Sequence, residues 1–144
     1  MGKPRVTTWS EAPDLATPEP PALLSDSSNL WLAYETTSEP RGEVYAVIRF
    51  RHVIDHHLAP ISDEGIGEHP YASAGLQWYA FNEVTDSVEA IRWRPLNARH
   101  WVITFKDNTL DVIAQKAEVV VPSVYGHNAV TVLLSFISSA GSDR

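Results

Sequence analysis

Glu43-Val-Tyr-Ala-Val-Ile-Arg-Phe-Arg51 (EVYAVIRFR) alternates along its whole length. Val44, Ala46, Ile48 and Phe50 fall on one side, and Glu43, Arg49 and Arg51 on the other. Successive side chains of an extended chain point to opposite faces, so a period of two marks a strand with a buried side. Just upstream, Leu30 to Thr36 (LWLAYET) is aromatic and strand-like. Between the two, Thr37 to Gly42 (TSEPRG) carries the punctuation of a turn in Pro40 and Gly42. Together they predict a hairpin over Leu30–Arg51.

The same reading extends outward. Arg99 to Phe105 (RHWVITF) puts Trp101, Ile103 and Phe105 on one face and His100, Val102 and Thr104 on the other. Lys106-Asp107-Asn108 separates it from Thr109 to Ala114 (TLDVIA), which predicts a second hairpin, Arg99–Ala114. Glu118 to Val121 continues as β after a bulge near Gln115 to Ala117, and Pro122 ends it. Leu76 to Val84 is strand-like. Val88 to Trp93 is a strand candidate, with a short helix as the alternative. His52 to Leu58 reads as a short helix or a bent strand end. Asn128 can cap a helix over Ala129–Ser138 with Val130, Leu133, Leu134 and Ile137 on its apolar face, a final strand being the alternative. The sum is a mainly β (or α+β) fold, a curled antiparallel sheet or partly open barrel of about six to seven strands with one or two short helices.

Residues 1–28 contain Pro4, Pro13, Pro18, Pro20 and Pro21 and are otherwise mostly small, polar or acidic. Such a segment buries too little apolar area to offset its ordering entropy, so it reads as a flexible Pro-rich tail. Trp9 and Leu23-Leu24 are the exceptions that can dock. A single domain over residues 29–140 follows, with 141–144 frayed.

Composition excludes several classes of function. The net charge of −7 repels phosphate backbones and argues against nucleic acid as a partner. The absence of cysteine removes disulfide scaffolds and thiol chemistry. No apolar leader follows Lys3 and Arg5, and the longest apolar stretch, Ala129 to Ile137, is far short of the ~20 residues that span a bilayer. The expectation is a cytoplasmic protein with no membrane contact.

Two groups of residues suggest sites. His52, His56 and His57, with His69 downstream, are imidazoles of the kind that bind zinc, iron or manganese, so the expectation is no cofactor, with a divalent metal as the one alternative. The spacing is not diagnostic, and the Glu of an H-E-x-x-H motif is missing. Trp78, Glu83 and His69 are the candidates for a ligand pocket, because a carboxylate among aromatics can act on or hold a ligand. No residue pattern identifies a catalytic nucleophile: the string around Ser73 is Tyr-Ala-Ser-Ala-Gly75, with no G-x-S-x-G elbow. The loop from Ala59 to Gly75, long for a compact domain, is the segment most suited to function.

Several strings occur together: Leu30-Trp-Leu-Ala-Tyr-Glu35, His69-Pro70, Gly75-Leu76, Glu83-Val84 and His100-Trp-Val-Ile-Thr-Phe-Lys-Asp107. In this order they resemble a family of small, uncharacterised bacterial proteins, over roughly Leu30 to Val121. The resemblance implies a free-standing bacterial domain and no particular activity. The leading expectation is a non-enzymatic binding or interaction module whose partner is another protein or a second copy (a homodimer). A metal-binding protein or metal-dependent hydrolase, and a β-barrel holding a small apolar ligand, are the alternatives.

Overall fold

The computed structural model describes residues 2–16, 20–39 and 42–142. Seven strands form one unclosed antiparallel sheet: β1 (Arg5–Thr8), β2 (Ala22–Ser25), β3 (Asn29–Glu39), β4 (Gly42–Ala59), β5 (Phe81–Thr85), β6 (Arg99–Thr104) and β7 (Thr109–Gly126). Their spatial order is β1-β5-β6-β7-β4-β3-β2. Both hairpins are present, with Leu30 opposite Phe50 and Arg99 opposite Ala114.

The sheet is strongly curled. Tyr34 on β3 meets Phe81 on β5 with ring centroids 5.4 Å apart, although β4, β7 and β6 lie between those strands. The concave side is filled by Leu30, Leu32, Ile48, Phe50, Trp101 and Ile103, all at most 1% exposed. A small apolar ligand inside the curl would have to displace these side chains. The other face is not left wet. Helix α2 (Ala129–Ser142) covers Trp31, Ala33, Tyr45 and Val47 there. That explains the unbroken apolar run Leu30-Trp-Leu-Ala-Tyr34: a strand covered on both sides has no polar face to show.

Helix α2 begins where Asn128 accepts a hydrogen bond from the Thr131 N–H at 2.8 Å. Its docked stripe is Ala129, Val132, Leu133, Phe136 and Ile137. The expected face was displaced by about one residue, for Val130 and Leu134 are more than half exposed. Two closely spaced apolar series run along this helix, and sequence spacing alone does not say which the sheet selects. Pro122 does not end β7. Register shifts between Tyr45 and Ile48 place extra β7 residues there, and a bulge tolerates a proline that a regular ladder does not. Val88–Arg92 is helix α1 rather than a strand, because the Ser87 hydroxyl accepts from the Ala90 N–H at 2.9 Å and starts a turn. The expected strand at Leu76–Val84 begins only at Phe81, after Tyr79 adopts a left-handed backbone at φ 51°.

The largest correction concerns residues 1–28, read from composition as a tail. They supply both edges of the sheet: β1 pairs with β5, and β2 pairs with β3. After β1, residues 9–16 cross the open side of the curl. Trp9 packs edge-on against Phe81 at 5.6 Å, and its backbone N–H donates to the Phe81 carbonyl. The Tyr34 hydroxyl donates to the Pro13 carbonyl at 2.6 Å, and the Thr36 hydroxyl to the Asp14 carbonyl at 2.5 Å. Leu15 inserts into the concave core. Burial, and then the charge of Asp14, push the Tyr34 phenol well up from its usual value.

Gly126 lies in close contact with α2. A Cβ added there would lie 2.4 Å from Cγ2 of Val132, a β-branched side chain with little rotameric freedom in a helix. Gly126→Ala is expected to cost about 1–3 kcal/mol by overpacking. Val132→Ala in the same chain should recover part of that loss, read as the urea midpoint of single and double variants.

Candidate functional site

The half of the convex face that α2 leaves uncovered, over β6 and β7, is roofed by the segment from Ile61 to Tyr79 and by α1. Three hydrogen bonds seat this roof on the sheet end and on itself. The Asp63 N–H donates to the Lys106 carbonyl and the Thr109 hydroxyl to the Ile61 carbonyl, both at 2.8 Å, and the Tyr79 hydroxyl donates to Asp63. Between roof and sheet lies a buried polar cluster.

Its centre is Asp111 on β7. The neighbours Leu110 and Val112 face the concave core, so alternation puts Asp111 on the convex side. His69 from the roof donates through Nε2 to Oδ1 of Asp111 at 2.8 Å, and His100 from β6 through Nε2 to Oδ2 at 2.7 Å. A carboxylate can only accept, so both imidazoles present Nε2–H to it. The remaining ring nitrogens are engaged as well. Nδ1 of His69 accepts the Tyr71 backbone N–H at 3.0 Å, which makes His69 the Nε2–H tautomer with Nδ1 unprotonated. Nδ1 of His100 lies 2.9 Å from the Ser87 hydroxyl, which supplies the proton when the ring is neutral. Tyr71 completes the cluster: its ring stands edge-on to His100 at 5.5 Å and its hydroxyl donates to Glu89 at 2.5 Å. Burial, followed by the bond to Glu89, raises the Tyr71 phenol above its usual value.

Burial opposes the charge on Asp111, but hydrogen bonds from His100 and His69 outweigh it and hold the carboxyl below its usual range. The sign of the pH effect follows. A folded-state value below the unfolded one contributes stability above the unfolded value, and that stability is lost as pH falls through the folded value. The urea midpoint of the wild type should therefore fall on acidification below about pH 4, where carboxylates begin to protonate. It should fall less in Asp111→Asn, whose curve converges with the wild type in acid.

Ser87, His100 and Asp111 lie in hydrogen-bonded sequence, as in a hydrolase relay. Ser87 is fully buried, however, and its oxygen already caps α1, so no substrate reaches it. No ring nitrogen in the cluster is left free as a base.

The cluster forms the floor of a cleft of about 330 Å³. Asp55, His56 and His57 of β4 make one wall; Glu89 and Pro70 help form the opposite side. Asp111 keeps part of its side chain open, with 24% exposure. Three of the four histidines expected as metal ligands, His56, His57 and His69, thus border one cleft, although the register turns the side chains of His56 and His57 to opposite faces of β4; His52 does not border it. His52 lies farther along β4, with a left-handed backbone at φ 55°. Among the described residues no three His, Asp or Glu side chains are arranged to hold a metal ion. The ligand candidates do not converge either. Glu83 takes a two-pronged ion pair from Arg99 at 2.5 and 2.7 Å in a neighbouring cleft, and Trp78 stands 57% exposed. His69 alone of the three reaches the polar cluster. His100 and Asp111, not expected as site residues, carried one signal: each is a polar residue inside an otherwise apolar strand.

Among the described residues, no helix is long and apolar enough to cross a membrane. Searches of family models, curated proteins and solved structures find no match to this chain.

Proposed function

We propose that the protein is a binding module whose cleft takes a cationic group, an amine or guanidinium, from a partner. The observation that carries this is the cleft's chemistry. The carboxylates of Asp55, Glu89 and Asp111 line it, while both nitrogens of each buried imidazole are already engaged. Such a site is preorganised to attract positive charge, and its two buried imidazoles are committed to hydrogen bonds rather than free to act as bases. The net charge of −7 adds long-range attraction for a basic partner.

The test is calorimetric titration with agmatine, which carries both an amine and a guanidinium. Asp55→Asn combined with Glu89→Gln removes two charges without disturbing the Asp111 bonds. Exposed charge pairs contribute roughly 0.2–1 kcal/mol each, so affinity should fall about fivefold, and it should weaken with added salt. Binding that ignores both the substitutions and the salt would refute the reading. One-to-one binding of zinc or manganese, abolished by His56→Ala and His57→Ala, would favour the metal-dependent alternative instead.

A further inference from the structure

The cleft has an unusual wall. Strand β4 is paired with β7 along its length, to Ala59. On its other side, pairing with β3 stops at Arg51, and one further bond runs from the Val53 N–H to the Ser28 carbonyl at 2.9 Å. From Asp55 to Ala59, among the described residues, only β7 stands beside it. Asp55, His56, His57 and Leu58 are all exposed. A strand with one bare side presents a row of unpaired N–H and C=O groups, a template for another extended chain. Proteins usually blunt such an edge with lysine, proline or a covering loop. Here the first proline is Pro60, and the edge carries no lysine.

The register shows what an added strand would meet. His57 lies opposite Asp111 and Asp55 opposite Ile113, so these two face the cleft. His56 lies opposite Val112 and Leu58 opposite Leu110, on the other face. Leu58 is an exposed large apolar side chain at 40%. A segment laid along this edge would send alternate side chains to the two faces. One set falls beside Asp55 and the Glu89–Asp111 cleft, and the other beside His56 and Leu58. We infer that Asp55–Ala59 is a docking edge for an extended basic peptide segment of a partner protein. Lysine or arginine at every second position would enter the cleft, and apolar residues between them would cover Leu58. This rests on the cationic reading of the cleft and adds the form in which the cation is delivered. Charge disfavours a second copy as the occupant, because the edge would set Asp55 and its acidic cleft against an equally acidic molecule.

Two peptides and one small molecule separate the outcomes on the full chain. Fluorescein-labelled Lys-Val-Lys-Val-Lys, blocked at both ends, is compared by anisotropy with the same peptide N-methylated at alternate backbone nitrogens, and with agmatine as competitor. N-methylation keeps the charge and removes strand hydrogen bonds. The unmethylated peptide should bind about tenfold more tightly than the methylated one, as expected for a few net backbone hydrogen bonds. It should also slow amide exchange at residues 55–58. Equal affinity of the two peptides, with agmatine still binding, would overturn the docking edge and leave the cationic cleft standing. If none of the three binds, both readings fall. Concentration-dependent dimerisation that protects the same amides without peptide would also overturn the inference, in favour of self-pairing.

Discussion

Asp111→Ala is expected to destabilise the protein by about 3–5 kcal/mol, the range typical of removing one partner from a buried charged network. The reason is the pair of donors left behind. His100 is fully buried and His69 is 5% exposed, so neither Nε2–H can turn to solvent. Each stranded donor costs roughly 1–3 kcal/mol. At the size of this chain the loss corresponds to a fall in Tm of about 10–15 °C. Asp111→Asn should cost less, because an amide oxygen still accepts from one imidazole while its NH2 opposes the other. Hydrogen exchange should report the loss first at Ile61–Tyr79 and α1, which the cluster ties to the sheet. A variant whose thermal transition stays within a degree or two would mean that the two imidazoles are not held by this carboxylate.

Deleting residues 1–16 is expected to abolish cooperative folding. Truncating one buried Leu or Trp costs about 2–5 kcal/mol, and the deletion removes both Leu15 and Trp9 from the concave side. It also strips β1 from β5 and opens the Tyr34–Phe81 contact to water. The sum is comparable with the whole stability of a small domain, ~5–15 kcal/mol. The truncated chain should bind a hydrophobic dye and lose its near-ultraviolet dichroism. A deletion variant with a sharp transition near the wild-type midpoint would restore the flexible tail. Leu15→Ala is the milder control, at about 2–3 kcal/mol, and should still fold.

These two variants fall on the two places where the sequence was least transparent. The central strands were legible because Val44, Ala46, Ile48 and Phe50 repeat at period two, and because turn residues separate the paired runs. The N-terminal strands were not. Arg5–Thr8 is mostly exposed and joins the sheet through backbone bonds, which composition does not register. Trp9 and Leu15 are isolated apolar anchors, set among prolines and small residues. The bent end of β7 was hidden for the opposite reason: Pro122 is a strong stop signal, overridden by a bulge. Helix α1 had a legible start in Ser87, but five residues are too few to show a period.

The candidate site was half legible. His69 and the loop that carries it were visible as unusual. Its partners His100 and Asp111 lie 11 residues apart in sequence and are joined only by the β6–β7 register, in which His100 faces Ile113 and Asp111 faces Val102. A one-residue slip would turn either side chain to the concave core, so the cluster depends on register that spacing alone does not supply. The His56-His57 pair illustrates the reverse. Adjacent on a strand, its two side chains diverge to opposite faces, so a cluster in sequence is not one in space.

The function of the cleft depends on whether the buried imidazoles are committed to Asp111 or free to do chemistry. A long-range ¹H–¹⁵N spectrum of the histidine rings at neutral pH decides this directly. His69 and His100 should each appear as the Nε2–H tautomer, with Nδ1 unprotonated and with Nε2–H protons slow enough in exchange to be seen. If either ring shows Nδ1–H with a bare Nε2, or averages rapidly between tautomers, it is not held by the carboxylate. A buried imidazole would then be available as a base on the cleft floor, and the binding-module reading would be contradicted.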